Sequence, residues 1–149
     1  MPANKHSTIE ELEKKLLGFG GDSFPRPEGF SDPHLDLLMS GGQIWKPWRV
    51  RRVEGVPHRC HGNAVVHYLW DRHFGCRSRD IVTGYALSKG LWHQHSWLWD
   101  GRHIWESTSR RDLYFGVVLQ GEDITRFVFV ELINNGLVPA PSNVSEEAS

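Results

Sequence analysis

Cys60 stands in the stretch HRCHGNAVVHYLW, residues 58–70, between two histidines and at the point where a helical pattern begins. Three chemistries are open to a cysteine in such a place: a metal ligand, a nucleophile, or a buried thiol that behaves as a small hydrophobe. A helix start suits the nucleophile. Its first N–H groups lack intrahelical partners and lie at the positive end of the dipole, so they stabilise a thiolate and can receive an oxyanion. Such a nucleophile also needs a general base, and the base needs a group to orient it.

Base and orienting group both follow from one turn. The segments WHQHSWLW and RHIWESTS flank Asp100-Gly101, and an Asp-Gly pair between such runs signals a two-residue hairpin loop. With that loop Trp99 pairs with Arg102, and counting back along both strands sets His95 opposite Glu106. Directly opposed residues share a face, with Cβ atoms about 4.5–5.5 Å apart. The carboxylate can then accept a hydrogen bond from one imidazole nitrogen and leave the other as the base. A loop one residue longer would set His95 against Ser107 instead.

Rival assignments use the same residues. Cys60 and His61 could join His93 and His95 in a zinc site, although the chain lacks C-x2-C or H-E-x-x-H spacing. Cys60 could be a structural thiol, Glu106 an edge-strand charge, and His58, His61 and His67 surface or packing residues. Gln43, Trp48 and Asn63 are candidate oxyanion donors. Trp92, Trp97, Trp99 and Trp105 are expected in the core on one face, with Trp97 a candidate wall for an acyl donor; a Trp-rich sheet of this kind would also suit a noncatalytic peptide- or glycan-binding module.

The elements that must position these groups are legible along the chain. Ser7 and Glu10 make a capping box ahead of Ile9, Leu12, Leu16 and Leu17, which predicts an N-terminal amphipathic helix ending at Gly18. SDPHLDLLMSGG predicts a short second helix ending at Gly41. QIWKPWRVRRV reads as an edge strand broken by Pro47. From Cys60, Ala64, Val65, Tyr68 and Leu69 fall on one side until Gly75, a helix of about three turns. DIVTGYALS, the two hairpin arms and GVVLQG read as strands, and EDITRFVFVELINNGLVP, whose centre is β-prone, reads as a helix from its ends. Residues 138–149 are expected to be a disordered tail. No internal repeat is visible.

The composition bounds the whole. The chain has 149 residues and a formal charge of −1, from 17 Lys+Arg against 18 Asp+Glu. This gives no global attraction to nucleic acid or to an anionic membrane. One domain over residues 1–137 is expected. No run reaches the ~20 apolar residues of a membrane helix, and residues 1–20 lack a secretory apolar stretch; a cytoplasmic protein is the expectation. Cys60 and Cys76 would lie roughly 20 Å apart along the helix, beyond the ~7 Å that a disulfide tolerates, so both thiols are read as free.

The segment from Cys60 to Thr108, a third of the chain, resembles the core of transglutaminase-like domains in the papain-like cysteine peptidase superfamily. Cys60 matches their helix-capping cysteine, Gly84-Tyr85 a strand ending in Gly-Tyr, His95-Ser96-Trp97 the His-Ala-Trp strand, and Glu106-Ser107-Thr108 the Asp-Pro-Thr strand. The resemblance implies an α+β fold with a papain-like, transglutaminase-like core. In it, N-terminal helices precede a central helix headed by Cys60, packed on an antiparallel sheet. It also implies Cys60 as nucleophile, His95 as base and Glu106 in place of the usual Asp. Acyl transfer or amide hydrolysis through a thioester would need no cofactor, and its partner would be a peptide or another amide or ester acyl donor.

Overall fold

The computed structural model describes residues 6–75, 77–137 and 139. Cys76, with the separation expected of it, and the expected tail apart from Pro139 lie outside those residues. The helices are α1 (Ile9–Phe19), α2 (Leu35–Gly41), α3 (Cys60–Phe74) and α4 (Gly121–Asn134). The strands are β1 (Gln43–Trp45), β2 (Val50–Arg52), β3 (Asp80–Ser88), β4 (Leu91–Trp99), β5 (Ile104–Glu106) and β6 (Leu113–Val118). The chain is an α+β protein.

The helices start and stop where side-chain chemistry tells them to. The capping box of α1 sits one residue later than expected, with Thr8 as N-cap and Glu11 as its reciprocal partner. α3 ends on Gly75, whose φ of 69° is the left-handed conformation that glycine adopts without strain. α4 is helical through its β-branched centre, with Ile124 and Phe127 buried; tertiary packing outweighs the propensity of the Val and Ile residues.

The six strands form one sheet in the order β1-β6-β3-β4-β5-β2. Its pairs are antiparallel except β2 with β5, which is parallel, so the sheet is mixed where an antiparallel one was expected. Pro47–Arg49 forms a 3-10 turn in the run read as one broken edge strand. The two halves of that run occupy opposite edges of the sheet. The four residues from Lys46 to Arg49 can join both edges only because the sheet curls on itself. Trp45 of β1 accordingly meets Trp97 and Trp99 of β4, with ring centroids 5.8 and 5.9 Å apart.

Helices cover the convex face. Ala64 and Val65 of α3 pack with Ile124 and Phe127 of α4 on Ile81, Leu98 and Trp105. Leu12, Leu16 and Leu38 from α1 and α2 pack on Tyr85, Trp92 and Phe115. The concave face closes on its own side chains, Val82, Ala86, Trp97, Ile104 and Tyr114. The tryptophans therefore divide between the two faces.

The β4–β5 hairpin departs from the Asp-Gly expectation. Trp99 pairs with Ile104 and Leu98 with Trp105, so the loop runs over four residues, Asp100 to His103. Asp100 selects it: Oδ1 accepts from the N–H groups of Arg102 and His103 at 2.7 and 2.6 Å, and Oδ2 accepts from Trp105 Nε1 at 3.0 Å. A side chain that satisfies two turn donors replaces the tight primed turn. The register slips by two residues, and an even slip leaves every side chain on its expected face.

Candidate active site

His95 and Glu106 share the concave face although they are not directly opposed. His95 Nε2 lies 2.9 Å from both Glu106 oxygens. The pair is sealed from solvent, His95 being 2% exposed and Glu106 0%. A carboxylate only accepts, so Nε2 carries the proton and Nδ1 is the nitrogen left for Cys60.

Glu106 remains ionised in this buried place because four donors surround it. Besides His95, Thr108 donates to Oε1 from its N–H at 3.1 Å and its hydroxyl at 2.9 Å, and the Tyr114 hydroxyl donates to Oε2 at 2.8 Å. Burial pushes the carboxyl up, but these donors together hold it below the ordinary glutamate value. Tyr114 comes from β6, separated from β5 by β3 and β4, and spans the concave face past Gly84 and Ala86. A Cβ on Gly84 would come within 2.1 Å of the Phe115 carbonyl oxygen.

Cys60 is half-buried at the first residue of α3. The N-cap, Arg59, makes no side-chain hydrogen bond to the amide end of the helix. His58, two residues earlier, turns the chain into the helix with a φ of 63°, in the left-handed region that a non-glycine residue rarely adopts. Burial pushes the Cys60 thiol up, yet its interactions with the His95 side chain and the Ser96 backbone N–H bring it below the ordinary thiol value. Burial pushes His95 down, and Cys60 and Glu106 together raise it above the ordinary imidazole value. The two directions agree, each group favouring the charged form of the other.

A cleft of about 620 Å³ opens onto Cys60 and His95. Gln94, the residue before His95, lines it too and leaves its carboxamide on the surface. The other residues singled out in the sequence lie elsewhere. Gln43 is exposed on the β1 edge, opposite Gly116. Trp48 is 79% exposed and lines a separate hollow with Trp45 and Trp99. Asn63 is buried in α3 with its amide committed: it accepts from Val56 N–H at 2.9 Å and donates to Val56 O at 2.9 Å and to Ser107 Oγ at 3.2 Å. It clamps the loop before Cys60 rather than facing the cleft. Trp97 is 1% exposed and stacks behind His95, with centroids 5.9 Å apart and planes at 26°.

The groups of the zinc reading are engaged separately. His95 Nε2 meets Glu106, while His61 Nδ1 is hydrogen-bonded to Ser96 Oγ at 2.5 Å. Burial pushes His61 down to about 4, so it is neutral at pH 7. Among the described residues no group of three or more His, Cys, Asp and Glu side chains is placed to hold a metal ion.

Three contributors escaped the sequence reading. Thr108 was legible in principle, since a hydroxyl two residues from a carboxylate often closes on it. Tyr114 and the Ser96 N–H carry no local signal, because their relation to Glu106 and Cys60 exists only in the curled sheet. Comparison with protein-family models, curated proteins and solved structures finds no match to this chain. No helix among the described residues is long and apolar enough to cross a membrane.

Proposed function

We propose that the protein is a thiol-dependent acyl-transfer enzyme with a papain-like, transglutaminase-like core, acting through Cys60, His95 and Glu106. The observation that carries this reading is His95 itself: one nitrogen is fixed by a fully buried carboxylate, and the other is left for a thiol that heads a helix in an open cleft. The Cys60 thiolate attacks the carbonyl carbon of an amide or ester, forming a C–S bond as the carbonyl electron pair moves to oxygen. N–H groups at the start of α3 receive that oxyanion. The tetrahedral intermediate collapses to a thioester and expels the amine or alcohol, which takes its proton from the His95 imidazolium. Water or an amine then attacks the thioester, giving its proton to His95 Nδ1 as sulfur departs.

The test is acylation of the purified protein by an activated ester, followed by mass spectrometry of the intact chain. Cys60→Ala and His95→Ala each abolish the acyl-enzyme, because the two act as one unit. Glu106→Gln still orients the ring without stabilising an imidazolium, and it lowers the rate by up to about 10⁴. Product analysis with water alone and with an added primary amine separates hydrolysis from transamidation. An acyl group that attaches elsewhere than Cys60, or acylation that survives His95→Ala at the wild-type rate, refutes the assignment.

A further inference from the structure

The cleft in front of Cys60 is walled on one side by two guanidinium groups, Arg52 of β2 and Arg111 beyond the turn that follows Glu106. Both are held over that turn by neutral acceptors. Arg52 Nη1 donates to Thr108 O, Arg111 Nη2 donates to Thr108 Oγ1 at 3.1 Å, and Arg111 Nε donates to Ser109 O at 2.9 Å. Neither forms an ion pair with a carboxylate among the described residues. Of the carboxylates flanking the turn, Glu106 is 0% exposed and already surrounded by donors, and the exposed Asp112 accepts from the Lys89 N–H at 3.3 Å. His58 and His93, both exposed, line the cleft as well, and among the described residues no Asp or Glu does.

Acidic residues are not scarce, since the chain carries 18 of them against 17 Lys+Arg. Their absence from the described lining leaves two cations on a concave wall, where they focus a positive potential. Planar guanidinium forks match an oxyanion by paired, charge-assisted hydrogen bonds. We propose that the acyl donor of this cleft bears an oxyanion, a carboxylate or a phosphate close to the scissile carbonyl, and that Arg52 and Arg111 bind it. The inference rests on the reading of Cys60 as the nucleophile.

The test measures how fast N-acetyl dipeptide vinyl sulfones modify Cys60. Addition of the thiolate to the vinyl carbon forms a C–S bond, and His95 returns the proton to the neighbouring carbon, so no leaving group or co-reactant is needed. Three probes differ only in a Gln, Glu or phosphoserine side chain, and each rate is divided by that of the same probe with free cysteine. The Glu or phosphoserine probe is expected to react about tenfold faster than the Gln probe, and the faster of the two identifies the anion's source. On the wild-type protein the advantage shrinks in about 1 M NaCl, where the Debye length is about 3 Å. In the double variant Arg52→Gln, Arg111→Gln it disappears. Equal rates for all three probes, with the adduct on Cys60, overturn the oxyanion site and leave the thiol chemistry standing. An advantage that persists in salt and in the double variant also overturns it. If no probe modifies Cys60, the proposed function falls with it.

Discussion

At the scale of the residue, the decisive fact is that His95 has a different partner at each nitrogen. Glu106 and Cys60 both raise its pKa, while His95 lowers those of Cys60 and Glu106. Activity is therefore expected to follow a bell in pH, rising below the ordinary thiol range as Cys60 ionises and falling as His95 loses its proton above the ordinary imidazole range. Glu106→Gln removes one of the groups that raise His95, so the alkaline limb moves to lower pH; acylation rates across pH in both proteins measure this. Stability follows the same signs. The contribution of Glu106, whose folded pKa is lowered, is complete above the ordinary glutamate value and is lost as pH falls through the lowered one. That of His95, whose folded pKa is raised, is complete below the ordinary imidazole value and is lost as pH rises through the raised one.

At the scale of the element, the β4–β5 hairpin shows how one side chain sets a register. Asp100 is held well below the ordinary carboxylate range: burial acts against the charge, but the His103 and Arg102 N–H groups and Trp105 Nε1 favour it more strongly. Asp100→Ala leaves those turn donors to solvent and is expected to destabilise the protein by about 1–3 kcal/mol, measured by urea denaturation at neutral pH. Asp100→Asn keeps an acceptor and costs less. Because β5 carries Glu106 only a few residues beyond this loop, Asp100→Ala also slows acylation of Cys60 through a looser His95–Glu106 contact. A variant with unchanged stability would show that the strand ladder, not the aspartate, holds the four-residue loop.

At the scale of the whole molecule, the curl of the sheet gathers the site. Gly84 and Gly116 pair across β3 and β6 beside His95. A Cβ on Gly116 would stand 2.7 Å from the Trp97 ring, just as one on Gly84 would strike the Phe115 carbonyl. The absence of side chains there lets Trp97 and Tyr114 fill the concave face and support His95 and Glu106 from behind. Gly84→Ala is expected to cost about 3 kcal/mol or more, because backbone cannot yield as a flexible side chain does. A urea midpoint within error of the wild type would refute that account of the curl.

Features under short-range control are legible in the sequence. Gly75 ends α3, the apolar spacing of Leu12 and Leu16 places them in the core, and the alternation of β4 puts His95 and Trp97 on one face. Parity is why His95 and Glu106 could be placed together: a register wrong by two residues still presents the same face. Tertiary structure decided whatever depends on chain segments far apart. It set β1 and β2 at opposite edges of one sheet, brought Tyr114 across to Glu106, turned Asn63 toward Val56 instead of the cleft, and ranged Arg52 beside Arg111. The physical reason is that side-chain period is a property of each strand alone, whereas curvature, strand order and the meeting of distant side chains arise from packing of the whole core, where each contact depends on all the others.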